Sequence, residues 1–222
     1  MADGDLRDKL AERAERAAVA PRHLLEAFYK ETAKEVLVAL ARHPRTPRLI
    51  SLPILKFLYL FDLLRVAQTP AVPADVKLVA EEIILNEIDT LPRGKKISLA
   101  RRGSGRVAAG LLVSEDRELI LAALDNPFLT EAHMLKILAL ENLPVLVVEL
   151  IAHHPKWCHR YHLRLALIRN PRTPFQQVLA FIPDMAVNDL RDICLDRRMT
   201  EHVRRYVLAH CARRLGKGEE LS

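Results

Sequence analysis

The stretch AHHPKWCHRYH, residues 152–162, gathers His153, His154, Cys158, His159 and His162 around the chain's one tryptophan, Trp157. Imidazole and thiolate are zinc ligands, and three of them plus a water make a catalytic zinc arrangement. His154, Cys158 and His162 are spaced i, i+4, i+8, so an unbroken helix would stack them on one face. Two features oppose this. Pro155 disrupts helical phase between His154 and Cys158. His154 also occupies the slot before a proline that Asn126, Asn170 and His43 occupy elsewhere. The expectation is therefore no metal and no cofactor, with Cys158, His159 and His162 as the weak candidate ligands.

A second candidate is RRGSGRVAAG, residues 101–110. Gly103, Gly105 and Ala108 imitate a dinucleotide fingerprint, but no strand precedes them and the surroundings read as helical. A corner between helices fits better. Arg93, Lys95, Lys96, Arg101, Arg102 and Arg106 crowd the same region, and glycine N–H groups among arginines can hold a phosphate. No nucleophile–base constellation is legible, because Ser51, Ser98, Ser104 and Ser114 lack an elbow motif.

The elements that position these residues follow from composition and punctuation. Half of the 222 residues are hydrophobic and only 5% are aromatic, so aliphatic side chains fill the core. Seven glycines against 13 prolines predict many helices joined by stiff corners. Three cysteines, Cys158, Cys194 and Cys211, form no CxxC pair, which suits a reducing compartment. The polar start MADGDLRDKL gives no signal peptide, and the expected location is the cytoplasm. The run 49–66, LISLPILKFLYLFDLLRV, is broken by Pro53, Lys56, Asp62 and Arg65 and predicts one buried helix, not a membrane span. The net charge of +6 and pI near 9.4 permit an acidic partner such as nucleic acid without establishing one.

A repeated grammar runs along the chain. HPRTP at 43–47 recurs as NPRTP at 170–174, with looser copies in DNPFLTEAH, LIAHHPKW and CLDRRMTEH. Each copy but the last ends an apolar helix at a polar residue and a proline, which disfavours helix in the residue before it; the last puts Arg198 in the proline slot. Thr46, Thr130, Thr173 and Thr200 are then placed to cap the next helix through their side-chain oxygens. The residue after each is Pro47, Glu131, Pro174 or Glu201, suited to a first helical position. Pro127, Pro155 and Pro171 lie 28 and 16 residues apart, an irregular period averaging in the low twenties. The short step predicts that a turn replaces a full helix near Trp157, which plugs the gap.

Helices are expected over 5–20, over 21–42 with a break near Thr32, over 73–88, 144–152 and, despite strand-like alternation, 161–167. In the last helix Val203, Tyr206, Val207 and Cys211 share a face opposite His202, Arg205 and Arg213, as an end cap requires. The organisation expected is a single helical-repeat domain over 1–222. It comprises N-terminal helices to 35, irregular pairs over 36–98, a repeat array over 99–215 and a disordered tail over 216–222.

The HPRTP and NPRTP corners, DNPFLTEAH and AHHPKW resemble those of bacterial leucine-rich-repeat-variant and HEAT-like proteins, over roughly 36–50 and 97–212. That resemblance implies an all-α, right-handed α-α superhelix and an interaction role. Some leucine-rich-repeat-variant proteins hold an iron–sulfur cluster on N-terminal cysteines. This chain has no cysteine before 158, so the cluster is not carried over. The expected function is a non-enzymatic scaffold whose concave face binds a protein partner. The alternative is a basic nucleic-acid binder, similar in class to HEAT-like DNA glycosylases, contacting the phosphate backbone. The candidate binding residues are Arg101, Arg102, Ser104, Arg106, Trp157 and Arg205.

Overall fold

A computed structural model of the chain describes residues 34–196 and 199–219. The helices expected over 5–20 and from 21 to 33, and the last three residues of the tail, lie outside them. Every regular element among the described residues is helical. No described helix is long and apolar enough to cross a membrane. The chain divides into two compact units, the first ending at Val107 and the second beginning at Ala108.

The first unit holds α1 (Lys34–Arg42), α2 (Arg48–Leu55), α3 (Leu60–Gln68), α4 (Ala74–Glu87), a 3₁₀ turn (Ile88–Thr90) and α5 (Arg93–Arg102). The boundary falls inside α6 (Gly105–Leu111). Helix α4 packs on α3 and α2, and α1 packs on α2 and α3. The apolar run 49–66 is two helices rather than the one expected. After Leu55 the chain tightens, with Lys56 N–H donating to Pro53 O and Phe57 N–H to Ile54 O, and α3 starts only at Leu60. These i→i−3 bonds satisfy the last carbonyls of α2 and end it.

The second unit holds α7 (Arg117–Leu124), α8 (Glu131–Leu138), α9 (Val145–His153), α10 (Tyr161–Arg169), α11 (Phe175–Phe181), a 3₁₀ turn (Ile182–Asp184), α12 (Val187–Leu195) and α13 (Glu201–Glu219). Helices two apart in sequence pack together: α7 on α9, α8 on α10, and α11 on α13. The most apolar, α9, buries Val147, Val148, Leu150, Ile151 and Ala152. Each of its larger side chains contributes roughly 1.5–3 kcal/mol relative to exposure. Residues 161–167 are helical, as expected from their counterparts. In α13, Val203, Val207 and Cys211 are buried while His202, Arg205 and Arg213 face solvent.

The irregular proline spacing has a structural cause. Between Pro127 and Pro155 stand two helices, α8 and α9, joined by ALENLP at 139–144, a corner without the Asn-Pro signature. Between Pro155 and Pro171 stands one, α10. The step of 28 is thus two helices and the step of 16 is one. No helix is missing at Trp157, contrary to expectation; residues 155–159 are a turn between two full helices.

Of the threonines, one takes its expected role and two do not. Thr130 caps α8, accepting from His133 N–H, with the His133 side chain returning to the Thr130 N–H. Thr46 and Thr173 instead donate backwards, to Leu40 O at 2.7 Å and Leu167 O at 2.6 Å. Pro47 and Pro174 are themselves the N-cap residues of α2 and α11, one position earlier than expected. Their ψ values of 144° and 135° are extended, and their carbonyls accept the first bonds of the helix. With a proline in the cap position, the hydroxyl before it is left to close the preceding helix.

Candidate interaction site

Four X-Pro corners share one hydrogen-bond pattern. At Asn170 the backbone N–H donates to Leu167 O, the side-chain Oδ1 accepts from Arg172 N–H at 2.9 Å, and the carbonyl accepts from Thr173 N–H. At Asn126, Oδ1 accepts from Phe128 N–H at 2.7 Å. His43 and His154 do the same with Nδ1, accepting from Arg45 N–H at 3.3 Å and Lys156 N–H at 3.2 Å. A neutral imidazole can replace an Asn oxygen here because the slot requires only a short side chain with an acceptor.

The corners reach back to the carbonyls of earlier ones. Trp157, 2% exposed, donates Nε1–H to Leu124 O at 2.9 Å. Lys156 Nζ lies 4.4 Å from the centre of the Trp157 ring and donates to Asn126 O at 3.1 Å. His154 Nε2 donates to Asp125 Oδ1 at 3.2 Å. Asn170 Nδ2 donates to Leu138 O at 3.0 Å, and Arg172 Nη1 to Leu143 O at 3.0 Å. Each link spans about one helix pair, 29 to 33 residues.

These partners account for the histidine cluster. His154 has both ring nitrogens engaged and lies outside the helix that holds His162, so the i, i+4, i+8 stack does not form. Arg164 donates to His159 Nδ1 at 3.2 Å, to Cys158 O at 2.6 Å and to Asp184, with its guanidinium 5.5 Å from the Phe181 ring centre. That bond occupies the Nδ1 lone pair through which His159 would ligate a metal. His162 meets Tyr161 edge-on at 5.7 Å. Among the described residues no group of three His, Cys, Asp or Glu side chains is placed to hold a metal ion. The Tyr161 hydroxyl donates to Asp189 and accepts from Ala186 N–H. The bond to Asp189 holds the phenol above its ordinary pKa. Burial pushes the Cys194 thiol up, with neighbouring Cys211 adding to it and Arg204 opposing.

The basic candidates fall in both units. Arg101 and Arg102 end α5 and are exposed. Gly103 and Ser104 make the two-residue corner to α6. Ser104 Oγ accepts from Val107 N–H at 3.4 Å. Gly103 is buried; a Cβ there would meet Leu99 O at 2.4 Å. Arg106 lies 3.8 Å from Glu81. Arg205 belongs to the second unit, where it pairs with Glu201 at 3.1 Å.

Two adjoining depressions flank the Asn170-Pro171 corner and were not legible in the sequence. The larger, about 530 Å³, lies between α8 and α10, with Leu135, Leu138, Leu140 and Leu165 on its walls and Glu141, His162 and Arg169 as polar groups. The smaller, about 210 Å³, is lined by Ile168, Phe175, Val178, Met199 and Val203. Arg169, Asn170 and Pro171 border both. Leu140 and Phe175 remain 45% exposed, an apolar display that no described residue of the second unit covers. Comparison with protein-family profiles, with curated proteins and with solved structures finds no match to this chain.

Proposed function

We propose that this chain is a non-enzymatic helical-repeat scaffold that binds a protein partner, and that its second unit builds an α-α superhelix of HEAT-like or leucine-rich-repeat-variant kind. The observation that carries this reading is the pair of adjoining apolar depressions on either side of the Asn170-Pro171 corner. Large apolar side chains left half-exposed in a concavity mark a binding surface more than a solvated one. The corner-to-carbonyl links support the repeat reading, since each ties one helix pair to the pair before it. Glu141 and Arg169 at the rim would orient an extended segment whose apolar residues enter the two depressions.

The test is a Leu140→Glu, Phe175→Glu double variant of the full chain. Both positions are solvent-facing enough to accept the change without unfolding. Wild-type protein used as bait is expected to retain a partner in stoichiometric amount, and photocrosslinkers placed at 140 and 175 are expected to mark it. The double variant is expected to lose that partner with an unchanged circular-dichroism melt. Equal retention by wild type and variant would refute this binding surface.

A further inference from the structure

We infer that α5 is a docking face for the phosphate backbone of duplex nucleic acid, a second surface beyond the protein-binding depressions. Helix α5 carries Arg93, Lys95, Lys96, Arg101 and Arg102 in ten residues and no acidic residue. Its only buried side chains are Leu99 and Ala100, so these fix the inward face. Lys95, Arg101 and Arg102 are exposed on the outward side, with exposed Gly94 just before Lys95 and half-buried Ser98 between Lys95 and Arg101. Among the described residues, none of these three cations has a carboxylate within ion-pair distance.

Two choices in α5 work against its own stability. Arg93, Lys95 and Lys96 stand in the first turn, where the helix dipole disfavours positive charge. Among the described residues Lys95 has no carboxylate within ion-pair distance, whereas Arg48 in the first turn of α2 pairs with Asp75 at 3.0 Å. The other choice is Gly94, in the first turn, where glycine is a weaker helix former than alanine. Packing does not require it, because a Cβ there would meet nothing within 4 Å, and no glycine among the described residues has positive φ. A glycine beside Lys95 at the N-terminal end of a basic face lets another molecule's backbone come close. An external polyanion accounts for both choices.

The chemistry of the face selects among polyanions. An interfacial membrane helix needs an exposed apolar side, and α5 has turned its buried residues inward. A single-strand surface uses stacking aromatics, and α5 has none. What remains is a row of guanidinium and ammonium groups over about 10 Å, from Lys95 to Arg102 at 1.5 Å per residue. That row suits regularly spaced phosphates, which arginine can hold bidentately.

The experiment measures binding of the full chain to a labelled 20-base-pair DNA duplex by fluorescence anisotropy, from 50 to 300 mM salt. Wild type is expected to bind. A Lys95→Gln, Arg101→Gln, Arg102→Gln variant is expected to lower the steepness of log K against log salt by about 2.7, at roughly 0.9 per phosphate contact. Gly94→Leu is expected to raise the unfolding midpoint while weakening duplex binding at least fivefold, a split that a purely structural role would not produce. A control of equal charge change in the second unit, Arg160→Gln, Arg191→Gln, Arg213→Gln, is expected to leave the slope unchanged. The proposal is overturned if wild type fails to bind at 50 mM salt, or if the control triple lowers binding as much as the α5 triple. It is also overturned if Gly94→Leu leaves binding intact, or if α5-dependent binding occurs to poly-glutamate or anionic vesicles and not to the duplex. The Leu140→Glu, Phe175→Glu variant keeps duplex binding, so failure of one surface does not imply failure of the other.

Discussion

Asn170→Asp replaces one atom group at the corner between α10 and α11. Asn170 is 9% exposed and makes two bonds: Oδ1 accepts from Arg172 N–H at 2.9 Å, and Nδ2 donates to Leu138 O at 3.0 Å. Aspartate keeps the first and turns the second into a carboxylate oxygen facing a carbonyl oxygen. Losing the bond costs about 1 kcal/mol, and leaving Leu138 O unsatisfied in a buried site adds about 1–3 kcal/mol, so the loss at neutral pH is about 2–4 kcal/mol. The cost is pH-dependent. Burial and the facing carbonyl raise the folded-state pKa of this carboxyl above its unfolded value. The folded state therefore takes up the proton first, and the stability gap to wild type closes as pH falls through the folded pKa. Once protonated, the acid O–H can donate to Leu138 O. The assay is urea unfolding followed by the fluorescence of Trp157, the chain's one tryptophan and a reporter of the same unit, for variant and wild type at pH 7.5 and 4.5. A gap below about 0.5 kcal/mol at pH 7.5, or one that does not shrink at pH 4.5, would show that the amide does not bridge the two corners.

Three further outcomes are expected. Trp157→Phe leaves Leu124 O without its indole donor and the Lys156 ammonium over a smaller ring, and destabilises the second unit by about 1–3 kcal/mol in urea unfolding followed by circular dichroism. Gly103→Ala forces a Cβ to within 2.4 Å of Leu99 O and 3.1 Å of Val107 Cγ1, so the α5–α6 corner opens and the thermal midpoint falls, whereas Gly94→Ala, with open space around it, raises the midpoint. The raised pKa of Cys194 leaves less thiolate at pH 8 than an unperturbed thiol has, so maleimide labelling there is slower than on a small free thiol, and the difference narrows as pH rises.

The helices were legible because proline and apolar runs act within a few residues of each other. The slot before a proline, shared with Asn126, Asn170 and His43, assigns His154 to a corner rather than to a ligand set, and the shared acceptor geometry at Asn170 and His154 gives the reason. Other features needed spatial knowledge. The 139–144 corner carries no Asn-Pro pair, so the period was misjudged. Thr46 and Thr173 bond backwards where the proline that follows is the N-cap residue, a placement the Thr-Pro pair alone does not state. The break inside 49–66 falls where the residues stay apolar, so hydrophobicity gave no boundary. The two depressions combine side chains from elements roughly 30 residues apart, and only α8–α10 packing brings Leu135 and Leu165 to the same walls.

The links between corners are lopsided. In four of them the donor is a particular side chain, Trp157, Lys156, Asn170 or Arg172, while the acceptor is a main-chain carbonyl. Every residue carries a carbonyl, so the receiving position is free to change its side chain without losing the bond. Mutational vulnerability is therefore concentrated on one end of each link. A helix pair carrying its own donors needs no matching residue in the pair it joins, only a backbone of the right course. Pairs of this kind are interchangeable parts, and an inserted or deleted pair would find its acceptors already in place.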